Sequence, residues 1–107
     1  MNHADVSDLL RNIGNNYNNL RDGTKAIEYH EEALAISKTL YGENNSTVAN
    51  SFWSIGFAFS ILKDYKKAIE YFEKSLQVKK YLFGENQSDV ATLLQNIGNN
   101  YKNLGVG

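Results

Sequence analysis

The chain has 107 residues, with 11 lysine and arginine side chains against 12 aspartate and glutamate, so its formal net charge is −1. A length of this order holds one small domain, and the balance of charge gives no support to a nucleic-acid or anionic-membrane surface, which needs clustered positive charge. Cysteine and proline are both absent, which removes disulfides, thiolate metal sites and thiol nucleophiles and leaves long helices without their strongest interruption.

No apolar run approaches the roughly 18–20 residues of a membrane span, and no apolar signal segment follows Met1. The expected location is therefore cytoplasmic.

The sequence repeats itself. Leu10 to Leu20 reads LRNIGNNYNNL, Phe52 to Leu62 reads FWSIGFAFSIL, and Leu94 to Leu104 reads LQNIGNNYKNL. The Ile-Gly pair recurs as Ile13-Gly14, Ile55-Gly56 and Ile97-Gly98, a spacing of 42 residues. The same offset relates Ala26-Ile27-Glu28-Tyr29 to Ala68-Ile69-Glu70-Tyr71, and Tyr41-Gly42-Glu43-Asn44 to Phe83-Gly84-Glu85-Asn86. One domain over 1–107 follows, with a first repeat over about 5–46, a second over about 47–88 and a half repeat over about 89–104.

Each unit reads as two helices. Val6, Leu10, Ile13, Tyr17 and Leu20 fall three or four apart, as one face of a helix requires, and Asp5 just before them suits an N-cap. Asp22-Gly23 leaves only a short loop, so the next helix runs antiparallel to the first. That second helix carries Ala26, Ile27, His30, Ala33, Leu34 and the Leu40-Tyr41 pair in one broad stripe. Gly42 closes it, where glycine tolerates a left-handed backbone. The second unit repeats the scheme with Thr47 as cap, Val48, Phe52, Ile55, Phe59 and Leu62 in its first helix, and Ala68, Ile69, Phe72, Ser75, Leu76, Leu82 and Phe83 in its second. A last helix follows Asp89. The periodicity predicts helices over 6–20, 24–41, 47–62, 66–83 and 89–104.

Gly14, Gly56 and Gly98 lie inside helices, where glycine costs about 1 kcal/mol relative to alanine. Their common register predicts a close approach of the partner helix, facing Ala26 and Ala68. His30 stands on a packing stripe where the next copy has Phe72, which makes it a core histidine. No His/Asp/Glu set has metal-ligand spacing and no nucleophile has an evident base, so an enzyme is not expected, nor is a cofactor or metal.

These residues resemble the tetratricopeptide repeat. Its pattern of a large residue, Leu-Gly and Tyr, then Ala, an aromatic and Ala, is filled by Leu10, Ile13-Gly14, Tyr17, Ala26, His30 and Ala33, and again by Phe52, Ile55-Gly56, Phe59, Ala68, Phe72 and Ser75. The 42-residue unit is similar to the kinesin light chain and nephrocystin form, without its proline. The resemblance implies an all-α, right-handed superhelical stack of five helices in antiparallel hairpins. It also implies a protein-interaction scaffold that holds a peptide or partner helix in a concave groove lined by first helices.

By the same resemblance the groove-facing positions are Asp8, Arg11, Asn12, Asn15 and Asn19, then Asn50, Trp53, Ser54, Phe57 and Ile61, then Thr92, Gln95, Asn96, Asn99 and Asn103. Asparagine offers a donor and an acceptor to a peptide backbone. Trp53 and Phe57, one turn apart, form an apolar anchor between asparagine-rich flanks. A position wedged between adjacent first helices, serving only the core, also suits Trp53. Arg11 and Asn15 match the first pair of a carboxylate clamp, but Ser54, Thr92 and Asn96 do not complete it. Asn16 and Asn100 take a place that is usually small and buried, so both are expected partly buried. Leu94, Ile97, Tyr101 and Leu104 lack a following helix and are expected partly uncovered, open to self-association with a second copy. The competing expectation for the whole chain is a structural, oligomerising segment of a longer array.

Overall fold

A computed structural model describes residues 2–105; Met1, Val106 and Gly107, the ends of the expected domain, lie outside the described residues. Five helices follow in order: α1 His3–Asn19, α2 Gly23–Tyr41, α3 Ser46–Ile61, α4 Tyr65–Phe83 and α5 Ser88–Asn103. α1 packs on α2 and α3 on α4 as antiparallel hairpins, α2 and α4 each pack on the helix that follows, and α1 also touches α3. No strand occurs among the described residues, and no helix is long and apolar enough to cross a membrane.

The first helices begin earlier than expected. Asn2 caps α1 by accepting from the Asp5 N–H at 2.8 Å, and Asn45 caps α3 by accepting from the Thr47 N–H at 2.8 Å. Asp5, Thr47 and Asp89 therefore sit inside first turns, where the carboxylates still face the positive end of the helix. Asp22 and Asp64 cap α2 and α4 through the Lys25 and Lys67 N–H groups.

The short loops after α1 and α3 are closed by a paired backbone motif. The Arg21 N–H donates to the Asn18 carbonyl and the Asp22 N–H to the Tyr17 carbonyl; Lys63 and Asp64 repeat this on Ser60 and Phe59. The motif places its turning residue at positive φ, and Arg21 and Lys63 both stand at φ 64. At the same register the third unit has Gly105, at φ 80. Gly42 and Gly84 also have positive φ, 77 and 82, but with ψ near 180°. That is not the left-handed helical conformation expected of them but an extended one essentially confined to glycine.

Two apolar clusters run through the layer between first and second helices. Leu34, Val48, Phe52 and Ile55 gather with Ile27, Phe59 and Tyr71 against them. Ala68, Ile69, Phe72, Leu93 and Ile97 form the other, with Trp53, Phe59 and Leu76 at its edge. Small hydroxyls knit the hairpins: Ser7 Oγ donates to the Ala33 carbonyl and pairs with Ser37 Oγ at 2.8 Å. In the second hairpin the donor is on the other helix, with Ser75 Oγ donating to the Ala49 carbonyl.

The interior glycines are seats for aromatic rings rather than for Ala26 and Ala68 alone. A Cβ on Gly14 would stand 2.7 Å from the His30 ring, and one on Gly56 2.8 Å from the Phe72 ring and 3.2 Å from the Ala68 carbonyl. His30 is 1% exposed, and neither ring nitrogen has a hydrogen-bond partner among the described residues. Burial, and secondarily the Arg11 guanidinium, lower its pKa from 6.5 to about 4.

Several expected packing residues are exposed. Leu20 and Leu62 are the C-caps of α1 and α3, where the chain already turns away from the stripe. Tyr41 and Phe83 end the longer second helices, beyond the reach of their hairpin partners, and Leu40 is also open. Asn16 is exposed, contrary to expectation, because its register points back toward a preceding first helix and none stands there among the described residues. At the same register Asn100 is buried against α3: it accepts from Ser60 Oγ at 2.8 Å and donates to the Asn96 carbonyl.

Candidate interaction groove

Between α1 and α3 lies a cleft of about 410 Å³, lined by Arg11, Asn15, Asn18, Asn19, Asn50, Trp53, Ser54 and Phe57. The helical period explains the set, since Arg11, Asn15 and Asn18 are successive turns of one face and Asn50, Trp53 and Phe57 are successive turns of another. α3 carries no charged side chain from Ser46 to Ile61. The α3 side of the cleft is thus uncharged, with the Trp53 and Phe57 rings beside Asn50 and Ser54, and its α1 wall is amide-rich.

Seven of the expected residues meet here: Arg11, Asn15, Asn19, Asn50, Trp53, Ser54 and Phe57. Asn12 is exposed outside the cleft and Ile61 is half-buried beyond its end. Gln95, Asn96 and Asn99 lie on α5 and do not line it, so the third unit contributes nothing to this cleft.

Phe57 is 41% exposed and lies under the Arg21 guanidinium, 5.6 Å from the ring centroid. Trp53 is half-buried: one part of it lines the cleft and another packs on the Phe72, Leu93 and Ile97 cluster. Both environments considered for it are therefore occupied by one side chain. Arg11 is held by Asp8 at 2.9 Å, which neutralises much of its charge at the rim.

Asn18 is the lining residue that sequence reasoning passed over. It is buried, its Nδ2 donates to the Ser54 carbonyl at 3.2 Å, and its Oδ1 has no partner among the described residues. Its spacing from Arg11 and Asn15 was the available signal. Ser54 Oγ donates to Asn15 Oδ1 at 3.4 Å, a long contact that ties the two walls loosely.

At the other end of the array Leu94 is 51% exposed, and Tyr101 and Leu104 are exposed as well. Ile97 departs from expectation. It is 8% exposed, because α4 covers it through Ala68, Ile69 and Phe72 without any further helix. Among the described residues no group of three metal-ligating side chains comes together.

The hairpins and the repeat agree with known proteins. The family model for the tetratricopeptide repeat matches residues 5–80. The fold is similar to the crystal structure of BtubC (BKLC) from P. vanneervenii, with a TM-score of 0.85 at 24% sequence identity. That alignment covers 95% of this chain but 40% of the other, so the chain spans well under half the length of BtubC. No curated protein matches the sequence. With the family model covering most of its length and the repeat visible in three registers, the chain belongs to the tetratricopeptide repeat family.

Proposed function

We propose that the chain is a non-catalytic interaction module that binds a peptide segment or helix of a protein partner in the cleft between α1 and α3. The observation that carries this reading is the exposed Phe57 beside Trp53 on an uncharged helix, facing amide side chains across about 410 Å³. Such a surface suits a largely neutral segment that places an apolar side chain on the two rings and its backbone amides against Asn15, Asn18 and Asn19. Asn15 and Asn19 are exposed on the α1 wall, where each amide offers a donor and an acceptor to a peptide backbone. Aromatic anchors of this kind dominate binding energy at many interfaces.

A purely structural role has one observation in its favour, the packing of Trp53 on the α4–α5 cluster. Phe57 separates the two readings, because it makes no comparable core contact. The test is a displayed peptide library selected on the wild-type chain and counter-screened on Phe57→Ala. Binders that lose at least tenfold on the variant support the groove; binders indifferent to it, or none at all, refute it.

A further inference from the structure

The two joints between hairpins differ at matched positions. In the second joint Phe72 of α4 lies over Gly56 and shares an apolar cluster with Leu93 and Ile97 of α5. At the same register, 42 residues earlier, the first joint has His30 over Gly14 of α1 and Ser51 of α3 in the place of Leu93. His30 and Ser51 are each 1% exposed, and neither the ring nitrogens nor the hydroxyl has a hydrogen-bond partner among the described residues. A polar pair thus stands where α1, α2 and α3 meet, at positions that the next joint fills with apolar side chains.

The joint backs both walls of the α1–α3 groove. Gly14 lies on α1 between Arg11 and Asn15, and Ser51 lies on α3 between Asn50 and Trp53; all four of those flanking residues line the cleft. A neutral imidazole fits the space over Gly14. A protonated one does not, because none of the groups facing it among the described residues takes up its charge. α1 brings Arg11, a second cation already paired with Asp8, and Tyr17, stacked on Tyr29. α3 brings no charged or titratable side chain. On α2 itself the carboxylates of Glu28, Glu31 and Glu32 are exposed. Burial and the Arg11 guanidinium accordingly lower the His30 pKa from 6.5 to about 4. An opened joint takes the proton at the ordinary pKa, so closure is fully favoured above pH 6.5 and weakens as pH falls toward 4. At pH 5 the ratio of closed to open joint drops about 30-fold relative to neutral pH.

Resting on the groove reading above, we propose that the His30–Ser51 joint makes the α1–α3 groove proton-sensitive: a proton on the imidazole frees α1 from its seat on α2, parts the groove walls and releases the occupant. Trp53 and Phe57 keep their places, because the joint that holds α3 to α4 and α5 contains no histidine. The α1 wall is the part that moves. Its side-chain ties to α3 are few, with Asn18 Nδ2 donating to the Ser54 carbonyl at 3.2 Å and Ser54 Oγ to Asn15 Oδ1 at 3.4 Å. Protonation of a buried histidine biases such a two-state element without touching the ligand.

The experiment uses a rhodamine-labelled peptide selected on the whole chain at pH 7.5, capped at both ends and free of Asp, Glu and His, so that the peptide itself does not titrate. It is titrated with the whole chain at pH 7.5, 6 and 5 and read by anisotropy, with far-UV circular dichroism at each pH. Wild type is expected to bind about threefold or more weakly at pH 5 than at pH 7.5, up to the 30-fold ceiling, with its helical signal retained. His30→Phe, and His30→Met as a second variant without a titrating ring, should each bind equally at the two pH values. Equal binding by wild type at pH 7.5 and pH 5 would overturn the proposal. So would a pH-dependent loss that both variants share, or a loss that appears only where the helical signal of the whole chain disappears. Phe57→Ala keeps the two readings apart. A peptide that needs Phe57 but binds wild type equally at both pH values leaves the groove standing and overturns the proton-sensitive joint alone, whereas a peptide indifferent to Phe57→Ala overturns both.

Discussion

Replacing His30 with phenylalanine should stabilise the protein, and by an amount that grows as pH falls. In the second hairpin Phe72 fills the same place over Gly56, so the substitution installs the residue the neighbouring repeat already uses. At neutral pH the gain comes from removing two buried, unpartnered ring nitrogens, worth about 1 kcal/mol. The larger effect is protonic. His30 has its folded pKa lowered from 6.5 to about 4, so between these values the unfolded chain binds the proton and the folded chain does not. Stability is therefore whole above pH 6.5 and is lost as pH falls toward 4. Each pH unit is worth about 1.4 kcal/mol, so the loss is about 2 kcal/mol at pH 5 and on the order of 3 kcal/mol at pH 4. Phenylalanine carries no such loss, while the carboxylates titrate alike in both proteins and cancel in the difference. Urea unfolding of the two proteins, followed by circular dichroism at pH 7.5, 6, 5 and 4.5, measures the gap directly. A gap that stays constant across that range would refute the argument, because it would mean that His30 is not held neutral by the fold.

The remaining predictions concern single contacts. Lys63→Gly relieves a positive φ that the third repeat satisfies with Gly105, and should stabilise by about 1 kcal/mol in chemical denaturation. Gly56→Ala puts a methyl 2.8 Å from the Phe72 ring and 3.2 Å from the Ala68 carbonyl, and should cost about 1–3 kcal/mol despite the better helix propensity of alanine. Lys79 is 4% exposed and its ammonium meets Asp89 at 3.0 Å. Asp89→Asn strands that buried charge and should cost roughly 3 kcal/mol, whereas Lys79→Met should be nearly neutral in the same unfolding assay.

The fold was legible because its period is written in identities as well as in polarity. Ile13-Gly14 and its two copies set the register, and the helices fall within a few residues of their expected bounds. Boundaries failed where several residues serve one purpose: Asn2 and Asn45 cap as well as Asp5 or Thr47, and the chain uses the earlier one. Periodicity also continues past the point where a helix can still reach its partner, which is why Leu20, Leu62 and Tyr41 read as core and are not. Asn16 and Asn100 carry the same residue at the same register and differ only in having a neighbour to face. That is a property of position in the array, and no local reading contains it.

The candidate groove was partly legible for a related reason. Arg11, Asn15, Trp53 and Phe57 are placed by the resemblance to the family, which assigns a face but not the depth of each side chain in it. Asn18 escaped because its register faces the next first helix, and its free acceptor emerges only when α3 is in place. The Lys79–Asp89 pair joins α4 to α5 across a turn and needs the fold to be seen.

The central claim is that the α1–α3 cleft is a binding groove anchored on the rings of α3. Trp53 is the single tryptophan, so its emission reports on that cleft without any label. Titration with a peptide selected on the wild-type chain should shift the emission to shorter wavelength and quench its access to acrylamide, saturably, with at least tenfold weaker binding to Phe57→Ala. A selected peptide that binds while leaving the Trp53 emission and its acrylamide access unchanged would contradict the account, and so would one that binds Phe57→Ala as tightly as wild type.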